Sequence, residues 1–163
     1  MSEWTSERGD KAEKGLVKTL FWNEISPSVI LSGMPIGRDE RAIYFLHGVC
    51  GVFAIALYDL FGYQIEVAAE ENVDGSSWED RLVHVYCRDD NQNLVDVRGV
   101  IDDEDLFLED FEDFFDPRHG EFFELPASDL RSFLNSCMSS EDLDWLYAAA
   151  TKLIHDNIQG YKV

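Results

Sequence analysis

The stretch from His47 to Ala69, HGVCGVFAIALYDLFGYQIEVAA, constrains this chain more than any other. Val49, Val52, Phe53, Ala56, Leu57, Leu60 and Phe61 recur at i, i+3, i+4, i+7 and i+8 steps, which predicts a central, largely buried helix. Gly62 stands where a left-handed C′ residue would end it. The alternation over 63–68, with Ile65 and Val67, then predicts a strand. Cys50 falls at the start of the helix. Helix starts present unpaired backbone N–H groups and the positive end of the dipole, and both favour a thiolate over a thiol.

A cysteine nucleophile needs a base and a group that orients that base. The clearest β-hairpin in the chain offers both. LVHVYC at 82–87 and LVDVR at 94–98 read as strands joined by the turn RDDNQN. A hairpin closing symmetrically about Asp90 sets His84 directly opposite Asp96, with Cβ atoms about 4.5–5.5 Å apart on one face. Val83, Val85, Val95 and Val97 share the core face, and His84, Tyr86, Asp96 and Arg98 share the other. A one-residue slip would turn Asp96 away. A solvated strand face would carry polar residues too, so the hairpin gains meaning only together with Cys50. Cys, His and Asp, each on a suitable element, then form a candidate triad of Cys50, His84 and Asp96.

The chain has 163 residues, of which 45% are hydrophobic, which suits one packed domain behind a short flexible N-terminus at 1–14. Thirty-three acids against 13 Lys plus Arg give a net charge of −20. Such a field repels nucleic acid and anionic membranes and attracts basic partners. No apolar run reaches the ~20 residues that span a bilayer, and the polar N-terminus lacks a signal-peptide pattern, so a cytoplasmic location is expected. In a reducing compartment Cys50, Cys87 and Cys137 are expected as free thiols, since their spacing fits neither a metal site nor an even disulfide set. Cys87, on the opposite strand face from His84, and Cys137, on an apolar helical stripe, read as core filler.

Elsewhere, 16–25 has helical spacing, 26–37 reads as a connector, and Asp39 could cap a short helix over 40–46. The segment 102–116, DDEDLFLEDFEDFFD, holds nine acids in fifteen residues. Phe107, Phe111, Phe114 and Phe115 fall on one helical face, which predicts an amphipathic surface helix with an acidic outer side. Two further helices are expected. One runs from a Ser128 cap to about Met138. The other runs from Ser139 or Ser140 to about Ile158, with a buried stripe of Leu143, Leu146, Tyr147, Ala150, Ile154 and Ile158.

The patterns GVCGVFAIAL at 48–57, LVHV at 82–85 and LVDVRG at 94–99 resemble the papain-like cysteine enzyme superfamily. The layout is most similar to its compact transglutaminase-like branch, which includes arylamine acetyltransferases and bacterial cell-wall cysteine peptidases. The resemblance covers about 45–100. It implies an α+β, papain-like (transglutaminase-like) core over 15–163, with the Cys-bearing helix on a central antiparallel sheet of 63–68, 82–87 and 94–98 and helices flanking it. It implies Cys50 as nucleophile, His84 as base and Asp96 as orienter, with no cofactor and no metal. Many relatives place an aromatic beside the cysteine, whereas Val49 and Gly51 flank it here. No Gln precedes Cys50, so the oxyanion would rely on the Cys50 backbone N–H and a donor from the 46–49 turn, with Tyr44 and His47 close in sequence.

The expected function is cysteine-dependent acyl transfer or hydrolysis of a polypeptide or a small amide, ester or thioester. Two other readings use the same residues differently. One is a non-enzymatic module that engages a basic protein through the acidic 102–116 helix. The other is a structural component with no reactive thiol.

Overall fold

The computed structural model describes Phe45, residues 49–112 and residues 115–162. The expectations for 1–14, 16–25, 26–37 and 40–46, and those for Tyr44, His47 and Phe114, lie outside the described residues.

Helix α1, Cys50–Phe61, is the axis of the fold. All eight residues from Cys50 to Leu57 are buried, so its first two turns are enclosed on every side and only the last turn reaches water. It packs on the sheet with one side and on helices α3, Ala127–Cys137, and α4, Ser140–Asp156, with the other. Gly51 is what lets α3 come so close. A Cβ there would stand 3.2 Å from both the Leu130 and Leu134 side chains, so there is no room for an aromatic at position 51. Near the open end of α1, Asp59 accepts from Arg131 at 2.5 Å and from Tyr147 Oη at 2.7 Å, tying α3 and α4 to the same carboxylate. Helix α1 ends as expected at Gly62, in the left-handed conformation with φ 73°, whose N–H donates to the Tyr58 carbonyl at 2.8 Å.

The architecture is α+β, with a five-stranded antiparallel sheet and several helices. The strands are β1 Gln64–Ala69, β2 Leu82–Arg88, β3 Leu94–Asp96, β4 Gly99–Ile101 and β5 Glu121–Glu124, in spatial order β4-β3-β2-β1-β5. β1 lies opposite β2 with Val67 facing Val85, and β2 opposite β3 with Cys87 facing Val95.

Several expectations need correction here. The third strand does not run over 94–98. It stops at Asp96, turns through Val97 and Arg98, and returns as β4. Asp96 faces Gly99, whose φ of 114° favours glycine. The hairpin register also differs. Arg88 pairs with Leu94, which centres the turn on Asn91 rather than Asp90. The Asp89 carboxylate accepts from the N–H groups of Asn91 and Asn93, and this local capping sets the longer turn. The register moves by an even step, so every side chain keeps its face.

The 102–116 segment is not one helix. It is a short helix α2, Glu104–Leu108, followed by a 3-10 turn at Glu109–Phe111, and beyond the segment comes a further 3-10 turn, Pro117–His119. Asp103 caps α2, accepting from the Leu106 N–H. Phe107, Phe111 and Phe115 are buried and drive the segment onto the protein rather than along its surface. The strand β5 beyond it was not anticipated. A Cβ on Gly120 would come within 2.3 Å of the Phe115 ring, so the glycine admits that ring.

Ser139 caps α4, accepting from the Asp142 N–H, as anticipated. The helix breaks at Asn157, and a short α5, Ile158–Tyr161, leaves Ile158 exposed and buries Tyr161 instead. Cys137 is exposed, a correction to its reading as core filler; α3 turns only Leu130 and Leu134 fully inward. Cys87 is buried as expected, and its thiol donates to the Ala54 carbonyl at 3.4 Å. Among the described residues, no helix is long and apolar enough to cross a membrane.

Gly62→Ala isolates the backbone term, because a Cβ at Gly62 would meet nothing within 4 Å. The expected loss is about 1–2 kcal/mol from left-handed strain alone, read as a lower urea midpoint with an unchanged m-value.

Candidate functional site

Three elements converge on one imidazole. Cys50 is the first residue of α1, preceded by Val49, which offers no side-chain cap. His84 lies in the middle of β2, and Asp96 is the last residue of β3. The structure brings all three together, although His84 and Asp96 are diagonal rather than directly opposite.

His84 Nε2 meets Asp96 Oδ2 at 2.9 Å, with both side chains almost fully buried. A carboxylate at Nε2 requires a proton on that nitrogen, which leaves Nδ1 as the nitrogen that can exchange one. Nδ1 is buried and has no hydrogen-bond partner among the described residues. The Cys50 side chain lies close enough to the same ring to affect its proton affinity. Burial works against the imidazolium, but Asp96 and Cys50 outweigh it and hold the His84 pKa above its ordinary value.

The sulfur also has a backbone donor. Cys87 pairs with Val95, and two residues back Val85 would face residue 97 if β3 continued. The chain has already turned there, and the Val97 carbonyl accepts from Tyr161 Oη at 2.8 Å. The Val85 N–H, released from the ladder, donates to Cys50 Sγ at 3.3 Å. The gap opened by ending β3 early is therefore the place where the head of α1 meets the sheet.

The polar strand face is not wet. Phe111 and Phe107 cover His84, with ring centroids 4.7 and 5.7 Å away, and Tyr86 stacks on it at 5.7 Å. His84, Tyr86, Asp96 and Arg98 are each 3 % exposed or less. Arg98 was placed on this face by strand alternation but given no role. Its Nη2 donates to Asp96 Oδ2 at 2.7 Å, its Nε to both carboxylate oxygens, and its backbone N–H to Oδ1 at 2.8 Å. Burial opposes ionisation of Asp96, yet Arg98 and then His84 prevail and hold the carboxyl well below the usual carboxylate range. The Asp-Val-Arg-Gly run at 96–99 carried a signal for this arrangement, because Asp and Gly at the ends of a four-residue turn are common turn chemistry.

Of the other described histidines, His119 is exposed beside Asp116 and His155 is exposed in the last turn of α4, so neither belongs to this site. Among the described residues, no three His, Cys, Asp or Glu side chains cluster in a way that could hold a metal ion. No protein-family model, curated protein or solved structure matches this chain.

Asp96 holds fewer protons in the folded chain than in the unfolded one, because its folded pKa lies below the unfolded value of ~3.9. Its contribution to stability is present above that value and is lost progressively as pH falls from there toward the folded pKa. Asp96→Asn is expected to cost roughly 3–5 kcal/mol at neutral pH by removing the anion from a buried ion pair. The variant should also show a shallower loss of stability below about pH 4 than the parent. Urea unfolding at a series of pH values reads both.

Proposed function

We propose that this chain is a cysteine-dependent acyl-transfer or hydrolytic enzyme on a papain-like, transglutaminase-like core. The observation that carries the reading is the placement of one buried imidazole between a sulfur at a helix start and a carboxylate on the adjoining strands. The chain order of Cys-bearing helix, His strand and Asp strand supports it as well.

In this mechanism the Cys50 thiolate attacks the carbonyl carbon of an amide, ester or thioester. The S–C bond forms as the carbonyl π pair moves to oxygen. The Cys50 backbone N–H, at the positive end of α1, is a donor for that oxygen. Collapse of the intermediate breaks the bond to the leaving group, which takes its proton from His84 Nδ1. The resulting thioester then meets water or an amine, from which His84 removes a proton, and a second collapse restores the thiol–imidazole pair. Asp96 keeps Nε2 protonated and the ring oriented throughout.

Iodoacetamide is the suitable first probe, because only 7 % of Cys50 is exposed. Cys137 is exposed, so accessibility alone would label it first. At pH 6 the expected result is the reverse, with Cys50 alkylated on the order of ten-fold faster than Cys137 and Cys87 inert. His84→Ala should abolish the preference, and peptide mass spectrometry resolves the three sites. Faster labelling of Cys137 in the parent chain would overturn the proposal.

The net charge of −20 and the exposed acids of α2, Glu104 and Asp105, support a second reading, a binding module for a basic protein. Binding that is lost in high salt yet unchanged by Cys50→Ala would favour it.

A further inference from the structure

We propose that Arg98 is a positioning residue: its buried guanidinium forks onto Asp96 and so lets His84 release its proton without stranding a carboxylate in the core. The inference rests on the reading of Cys50, His84 and Asp96 as one working unit.

A His–Asp pair in a sealed site has a difficulty. When the imidazolium gives up its proton, the carboxylate keeps its charge and loses its countercharge, and an isolated anion in a core is strongly unfavourable. A pair of that kind resists releasing the proton, which is the step the leaving group requires. Arg98 removes the difficulty. A guanidinium does not deprotonate in proteins, so it neutralises Asp96 in both protonation states of the ring. Its fork engages both oxygens, and its backbone N–H adds a further bond to Oδ1. The guanidinium is itself anchored. Nη1 donates to the Phe107 carbonyl at 3.0 Å, and the group lies 4.6 Å from the Phe107 ring centroid. The aromatic cover over His84 and the brace behind Asp96 are thus one connected assembly.

Among the described residues, the other ionisable groups against the ring or its neighbours do not replace this brace. Cys50 faces the imidazole from α1, and Tyr86 stacks on it from β2. Tyr86 is neutral, its pKa pushed up by burial, and its hydroxyl donates to Glu66 on β1, which also binds Arg88. Glu104 on α2 acts on Tyr86 rather than on the ring. Cys87 and Tyr161 are kept neutral chiefly by burial, and the Asp96 charge acts in the same direction.

The test follows the His84 ring by nitrogen and carbon NMR in the full chain as pH is raised, comparing the parent with Arg98→Gln. The expected result is an upward shift of the His84 midpoint by about one unit, a ten-fold change in proton affinity, with a smaller shift in Arg98→Lys. The alkaline limb of Cys50 alkylation should move the same way. A purely structural role for Arg98 would lower the melting temperature and leave the midpoint in place. A folded Arg98→Gln protein with an unmoved or lowered midpoint overturns the proposal. If neither variant folds, the parent chain decides. The Asp96 carboxyl carbon should keep its ionised shift while His84 titrates, and an Asp96 signal that titrates with the ring overturns the role of Arg98. Unselective alkylation of parental Cys50 would instead remove the acyl-transfer reading, a result separate from either ring measurement.

Discussion

A single buried anion governs the centre of this molecule. The Asp96 carboxylate is 3 % exposed and would be untenable there alone. Five contacts from two residues stabilise it: the His84 ring, the Arg98 backbone N–H, and three from the Arg98 guanidinium. Each shapes something else. The His84 contact fixes which ring nitrogen faces away from the carboxylate. The Arg98 backbone contact closes the turn that ends β3. The guanidinium carries the network out to Phe107 and the short helix above the site.

The early end of β3 has a consequence where the head of α1 meets the sheet. A strand continued to residue 98 would have paired with β2 beside His84 and closed the ladder. With the chain turned back at 97–98, the Val85 N–H is left to the Cys50 sulfur, and Tyr161 takes the Val97 carbonyl. Buried backbone groups are nearly always paired, so the gap in the ladder and its two unusual partners belong together. The C-terminal α5 thereby contributes to the site through Tyr161, some sixty residues beyond the turn that it braces.

Much of the architecture was legible in the sequence, because it followed from periodicity. The helix at 50–61 with its glycine stop, the strands expected at 63–68 and 82–87 and found at Gln64–Ala69 and Leu82–Arg88, and the capped helix from 140 all announce themselves by spacing and cap chemistry. The convergence of Cys50, His84 and Asp96 was legible too, since it depends on face parity, and parity survived an even register change. What periodicity does not encode is cover. The strand face with His84 and Asp96 reads as polar, and polar faces are ordinarily wet. Here, Phe107 and Phe111 cover it, because aromatics in a short acidic run bury themselves wherever an apolar or cationic surface lies near, as Phe107, Phe111 and Phe115 do. The same clustering misled the helix assignment at 102–116, where burial of the rings outweighed helical regularity. β5, only four residues long, gave too little alternation to be recognised.

The three cysteines compare sulfur environments within one chain. Cys137 has access to solvent. Cys87 is buried, donates to a carbonyl, and has its pKa driven up by burial, which keeps it a thiol. Cys50 is nearly as buried, yet its sulfur is an acceptor, taking a backbone N–H in a gap of the sheet with an imidazole alongside. Burial alone would make Cys50 resemble Cys87. The difference lies in the direction of the hydrogen bond: a donor aimed at sulfur stabilises negative charge there, and an acceptor opposes it. On the proposed reading, reactivity in this fold is therefore decided less by exposure than by whether the sheet beside the sulfur offers an amide or a carbonyl, and the turn at 97–98 is what makes it an amide.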